Sequence, residues 1–297
     1  MKKGMLYTVL TAVLFVTLEP VSKLIAWEVN PYAITFWRFA IGAVILLPFA
    51  IVKIKREKLK IGLKQLGIMT GLGVLFICVS MVALQIGVAK AESPSIIAII
   101  FSSNSVFTIL FASLILKEKF TANKGIALVL GVIGVLICAD FSGGTNFASV
   151  ALGVLAAVSF SLYTILSRKF VKNLGGVVQT ALVFLLGSGV LLIALLVMKA
   201  EVFPPIGPKT LAILAYIGIF VTGIGYLCYF SAIEKGGAIM GAMAFFIKPI
   251  LTPFTVWVIN GVKPNATALI AVVFIVAASW FAALKKEKVC KAKNFNG

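Results

Sequence analysis

Apolar runs of about 20 residues recur along the whole chain, separated by short polar stretches rich in lysine, glycine and proline. At 1.5 Å per residue, a helix of about that length crosses the roughly 30 Å hydrocarbon core of a bilayer. The pattern predicts ten spans, at 4–26, 32–52, 65–88, 94–116, 124–141, 148–167, 178–198, 210–231, 238–259 and 265–284. In lipid, only helices and closed barrels satisfy their own backbone polar groups. These runs are too long and too continuously apolar for barrel strands, so the expected fold is an all-α polytopic membrane protein with ten transmembrane helices. Lys2 and Lys3 precede the first run as they would in a secretory signal. That run continues past the ~15-residue limit of such a segment and contains Glu19-Pro20, so it reads as the first span.

Composition sharpens this picture. Of 297 residues, 61% are hydrophobic and 12% charged. A soluble domain carries about 25% charged residues, so an ordinary globular protein, a disordered chain and a nucleic-acid-binding domain are all excluded. The net charge of +18 is explained by where the charges sit. With the N-terminus placed in the cytoplasm, 20 of the 27 Lys and Arg fall in inside segments and 4 in outside loops. Lys23, Arg38 and Lys248 fall within spans. Such a bias predicts a multi-pass protein of the cytoplasmic or inner membrane with both termini cytoplasmic. The basic loops then face anionic lipid head groups and need no nucleic-acid partner. Histidine is absent, which removes the commonest general base and metal ligand. The four cysteines stand singly and read as small buried hydrophobes. No phosphate-binding GxxxxGK[ST] run occurs, and no cofactor or metal is expected.

The chain divides near Gly143-Gly144 into 1–143 and 144–297, each with five spans and the second ending in a short basic tail. Because five is odd, the second half enters the membrane from the opposite side, an inverted repeat of the kind found in secondary carriers. A shift of 144 residues matches 7 of 25 positions between 117–141 and 261–285, Lys119 with Lys263 and Ile126 with Ile270 among them. So apolar a composition would match about 3 by chance. Gly67-x-x-x-Gly71 and Gly237-x-x-x-Gly241 have the spacing of close helix crossings.

Several motifs carry a family resemblance: a small-residue first span ending in Lys23, Trp37-Arg38-Phe39, and Leu116-Lys117-Glu118-Lys119-Phe120-Thr121 closing span four. Ser161-Leu162-Tyr163-Thr164-Ile165-Leu166-Ser167-Arg168 in span six and Pro249 in span nine fit it as well. The chain resembles the drug/metabolite transporter superfamily, and within it the EamA-type carriers of ten helices in two five-helix halves. It departs from the pattern at Lys117, where a glycine is usual, and at Val262, where an acid is usual. Val16 to Glu19 replace the tryptophan-glycine pair often seen in span one. The resemblance implies movement of a small metabolite such as an amino acid, nucleoside or organic ion. It also implies a central cavity walled by spans one, three, four, six, eight and nine.

Charges within spans are the candidate chemistry. One charge at a helix centre costs roughly 2.5–3.5 kcal/mol, while each good apolar residue returns only about 0.3–0.6. Lys248 lies mid-span beside Pro249, which is expected to kink the helix, free the Phe245 carbonyl and leave an ammonium suited to an anionic group. Glu19, followed by Pro20, has three readings: a proton-coupling carboxyl, an i,i+4 pair with Lys23, or a salt bridge to Lys248 made and broken during transport. Arg38 and Lys23 read as snorkelling anchors at helix ends. Asn104, the counterpart of Lys248 under the 144 shift, heads a polar patch with Ser103 and Thr108. Tyr163, Tyr226, Tyr229 and Gln85 complete the substrate-binding candidates. Together these predict a secondary carrier working by alternating access, with protons as coupling ion through Glu19. A small zwitterion such as an amino acid is the first substrate class and an organic anion the second. A flippase for a lipid-linked head group and a non-transporting structural subunit are the alternatives. Only Glu19 among nine acids lies deep, which argues against an intramembrane enzyme.

Overall fold

The computed structural model describes residues 2–139, 146–171, 174–204, 207–236 and 238–283. These residues form ten helices, each within a few residues of an expected span. They are α1 (Lys2–Val16 and Leu18–Lys23), α2 (Pro31–Glu57), α3 (Leu63–Lys90), α4 (Pro94–Ser102 and Asn104–Ile115) and α5 (Ala122–Ala139). Then follow α6 (Phe147–Phe170), α7 (Gly176–Val197), α8 (Pro208–Lys235), α9 (Ala238–Asn260) and α10 (Ala266–Ala283). Eight are long and apolar enough to cross a membrane, and the other two, α5 and α10, carry shorter apolar stretches. The chain is therefore an all-α polytopic membrane protein. Apolar side chains such as Val52, Val197, Val258 and Val273 stand exposed on the flanks, as a lipid-facing surface requires. The division near Gly143-Gly144, the Gly237–Gly241 spacing and the basic tail lie outside the described residues.

Local chemistry sets the helix ends. The Asn30 side chain accepts the Ala33 N–H at 2.8 Å and Pro31 opens α2, where its missing N–H leaves nothing unsatisfied. Lys58, in the left-handed region at φ 49°, closes it. Pro94 and Pro208 open α4 and α8 in the same way. Interior irregularities recur in pairs. The π-helical segments Val74–Met81 in α3 and Ile217–Ile224 in α8 lie 143 residues apart. Helix α9 carries Pro249 and Pro253 inside one continuous helix.

Helices α1–α5 and α6–α10 interleave. α1 packs on α8 and α9, while α6 packs on α3 and α4. α2 lies against α7 and α8, and α5 pairs with α10 at the side. The core is aromatic where α2, α3 and α7 meet: the Phe39 ring stands edge-on to Phe76 at 5.3 Å and to Phe184 at 4.8 Å. A close crossing falls at Gly73, where an added Cβ would lie 2.8 Å from the Gly187 Cα. Gly67 and Gly71 face open space instead, so their spacing marks no crossing here. Successive helices run antiparallel. The turns after α2, α4 and α6 therefore share a basic end, with Lys58, Lys117 and Lys169, and the turns after α1, α3 and α7 share the far end.

Candidate functional site

A cavity of about 700 Å³ lies in the middle of the bundle. Asn104 and Thr108 of α4, Tyr163 of α6, Gln179 of α7, and Tyr226 and Tyr229 of α8 line it. It reaches the basic end, where Arg168, Val171 and Gly176 form its rim. Its walls combine ring faces with hydroxyl and amide groups, a lining that suits a solute with both flat apolar and polar parts. Tyr163 is held flat against Phe76, with ring centroids 4.6 Å apart.

Beneath it, toward the far end, lies a second cavity of about 30 Å³. Phe160, Tyr226 and Phe245 line both spaces and form the partition between them. Arg38, Met81, Phe101 and Lys248 are among the remaining walls of the smaller one.

Next to this cavity α1 and α9 are joined by a buried ion pair. Lys248 Nζ donates to Glu19 Oε1 at 2.6 Å, and the side chains are 6% and 0% exposed. Of the contacts considered for Glu19, the structure forms the salt bridge to Lys248. The helix break at Thr17 lies two residues before Glu19, and Pro20, which lacks an N–H, follows it directly. The second carboxylate oxygen, Oε2, has no hydrogen-bond partner among the described residues. Lys23 is not in the pair. Its ammonium donates to the carbonyls of Ala89 and Ala91 at 2.8 and 2.6 Å, capping the C-terminus of α3 where the helix dipole favours a cation.

Arg38 also departs from expectation. It was expected near an interface, but it is only 4% exposed, because α2 starts seven residues earlier and turns this face inward. Its Nη2 donates to the Met81 thioether at 3.3 Å and its guanidinium lies 4.5 Å from the Phe39 ring centre. The far end is closed around these groups. Asn260 Nδ2 donates to the Pro20 carbonyl at 3.1 Å, Trp37 Nε1 to the Val202 carbonyl at 2.9 Å, and Thr210 to the Glu28 carboxylate.

The polar patch of α4 has a mixed role. The helix breaks at Ser103, and the Asn104 amide donates to the Phe101 carbonyl at 2.8 Å. Ser161 of α6 donates to the Asn104 carbonyl at 2.6 Å, and Ser105 meets Ser279 of α10 at 2.8 Å. Asn104 and Thr108 reach the central cavity. Ser103 does not; it lines a separate apolar space of about 170 Å³ against α5. Gln85 is buried, and it is not among the residues lining either cavity. Sequence reasoning missed Gln179 and the partition residues Phe160 and Phe245. A signal for Phe245 was available: the 144 shift that pairs Asn104 with Lys248 also pairs Phe101 with Phe245. Among the described residues no cluster of three His, Cys, Asp or Glu side chains could hold a metal ion.

The model of the EamA-like transporter family matches residues 2–139 and again 147–284. An "Uncharacterized transporter" of Clostridium kluyveri is 35% identical over 288 residues, 94% of this chain and 92% of that protein. An "S-adenosylmethionine uptake transporter" of Rickettsia bellii is 24% identical over 272 residues, covering 82% of this chain and 89% of that one. A solved crystal structure superposes with a TM-score of 0.65 at 19% identity, over 95% of this chain and 97% of the other, a likeness of fold.

Proposed function

The chain belongs to the EamA-like transporter family, and from that premise we propose that it carries a small metabolite across the cytoplasmic membrane by alternating access. The observation that carries the reading is the Glu19–Lys248 pair. It closes one end of a bundle whose 700 Å³ cavity reaches the other. The match of the family model to two successive segments supports two five-helix halves, 1–143 and 144–297. So do the π-helical segments set 143 residues apart. Their opposite entry into the membrane makes the repeat inverted. The 20-to-4 bias of Lys and Arg supports a cytoplasmic basic end and cytoplasmic termini, so this conformation is the inward-facing one.

The favoured substrate is an amino acid or another small zwitterion. Ring faces and hydroxyls in the cavity suit its body, and the charged cluster below suits its head group. A relative named for uptake of S-adenosylmethionine, itself an amino-acid derivative, supports the class. Glu19 is the coupling site: when the pair with Lys248 opens, its carboxyl is free to take a proton. The test is amino-acid counterflow and uptake in proteoliposomes with and without an imposed pH gradient. Glu19→Gln keeps counterflow and loses uphill accumulation. Intact proton-driven accumulation by that variant removes the coupling role, and absence of amino-acid counterflow in the wild type removes the substrate class.

A further inference from the structure

Arg38 is the one charged group of the central cluster that the ion pair leaves without a charged partner. Glu19 and Lys248 neutralise each other at 2.6 Å. Arg38 stays protonated under all ordinary conditions and carries five N–H donors. The acceptor recorded for it is a methionine sulfur at 3.3 Å, a weak one, and its Nε has no partner among the described residues. It lines the small cavity together with Tyr226 and Lys248. The cluster of one acid and two bases therefore carries a net single positive charge in an apolar surround of Phe15, Leu18, Leu84 and Val221. A buried charge is heavily penalised unless an opposite charge joins it.

We infer that the small cavity under the Phe160–Tyr226–Phe245 partition is an anion subsite, in which Arg38 takes one monovalent, carboxylate-sized group. The cavity has about 30 Å³ of room, and a single water needs about 10–15 Å³ by the same measure. Two oxygens fit, which is the number a guanidinium binds as a fork. No carboxylate lines the space, while Arg38 and Lys248 both do. The partition residues also line the large cavity, so a solute held there can present its anionic end to Arg38. An anion so placed also offers Lys248 a second partner and loosens the pair that closes the far end. The inference rests on the carrier reading for its substrate but not for its site, because chloride has the same charge and a similar size.

The test is thermal unfolding of the purified full chain in detergent, in chloride-free sulfate buffer of constant ionic strength. Formate, chloride, leucine and leucinamide are the added probes. Formate and leucine raise the melting temperature and leucinamide, which lacks the carboxylate, does not. Arg38→Gln weakens both responses about tenfold or more, the loss expected for one charge-assisted pair, and Arg38→Lys keeps part of them. A response to formate and chloride without one to leucine keeps the subsite and assigns it to a free anion. If Arg38→Gln does not fold, the wild-type titration with Arg38→Lys decides. No response of the wild type to any monovalent anion beyond the sulfate control overturns the subsite. So does an unchanged response in the Arg38 variants. Leucine counterflow, measured in parallel, reports on the carrier reading separately.

Discussion

Lys248→Met is the perturbation that most directly weighs the central pair. The two charged atoms lie 2.6 Å apart with side chains 0% and 6% exposed, so water screens them little. At that separation the gross attraction is about 6 kcal/mol for an effective dielectric constant of 20. Most of it is offset by the cost of taking both charges out of water, so the pair as a whole contributes little net stability. Removing one partner is another matter, since the Glu19 carboxylate is left buried and uncompensated at a cost of about 3–5 kcal/mol. Replacing both groups removes the stranded charge, so Glu19→Gln on the Lys248→Met background regains most of the stability. Unfolding free energies of the wild type, both single variants and the double variant, measured by denaturant titration in mixed micelles, close the cycle. The expected coupling exceeds about 1 kcal/mol. Effects that add within about 0.5 kcal/mol would refute the reasoning, because residues in one buried pair do not act independently.

Other expectations follow from single contacts. Gly73→Ala forces a Cβ to within 2.8 Å of the Gly187 backbone and lowers stability by about 1–3 kcal/mol. Gly67→Ala, facing open space, leaves stability unchanged or raises it by up to about 1 kcal/mol in the same micelle titration. Glu118 is held below the ordinary carboxylate range: burial pushes it up, but hydrogen bonds from Lys124 and Arg168 and their charges outweigh that. The stability it adds is therefore present above its unfolded pKa, near 4.5, and fades as pH falls through its lower native value. Glu118→Gln is slightly less stable than wild type at neutral pH, by under about 1 kcal/mol for such an exposed pair, and thermal scans converge in acid. Asn260→Ala removes the bond to the Pro20 carbonyl at the far end. Modification of a cysteine placed at buried Ser22 by an impermeant thiol reagent speeds up, and an unchanged rate would show that this bond does not help close that end.

Much of the architecture was legible because lipid simplifies the code. Length and continuous apolarity located all ten helices. The candidate site was legible only in part. Glu19 and Lys248 stood out through the energetic cost of charge in a span, yet their partnership joins positions 229 residues apart. Sequence spacing favoured Lys23 as strongly, at i+4 on the same helix. The structure gives the Lys23 ammonium to the free carbonyls at the end of α3, an acceptor site that hydropathy does not register. Arg38 was misplaced for a related reason: apolarity gives depth along the membrane normal but not which face of a helix meets the bundle. Ser103 shows the same limit, since it adjoins Asn104 in the chain but faces α5 instead of the cavity.

The two ends of the bundle are held by different chemistry, and that difference bears on mechanism. The far end is closed by charge. Lys248 and Glu19 pair there, with Lys23 on the carbonyls at the end of α3 nearby. Under the 144 shift, the counterpart of Lys248 is Asn104, beside the open cavity. Asn104 has no charge to offer. Its amide bonds within α4, and its carbonyl accepts the Ser161 hydroxyl at 2.6 Å. Neutral bonds of this kind add only about 1 kcal/mol each and respond weakly to a charged solute or a proton. A charge pair responds to both, because an arriving anion competes for the ammonium and a proton cancels the carboxylate. In the proposed carrier, solute or proton would act on the closed end, whereas the basic end carries the exposed Glu118 cluster with Lys124 and Arg168. On the proposed two-half reading, matched positions hold Asn104 and Lys248, so the far end gains a buried charge pair where the basic end holds an exposed one.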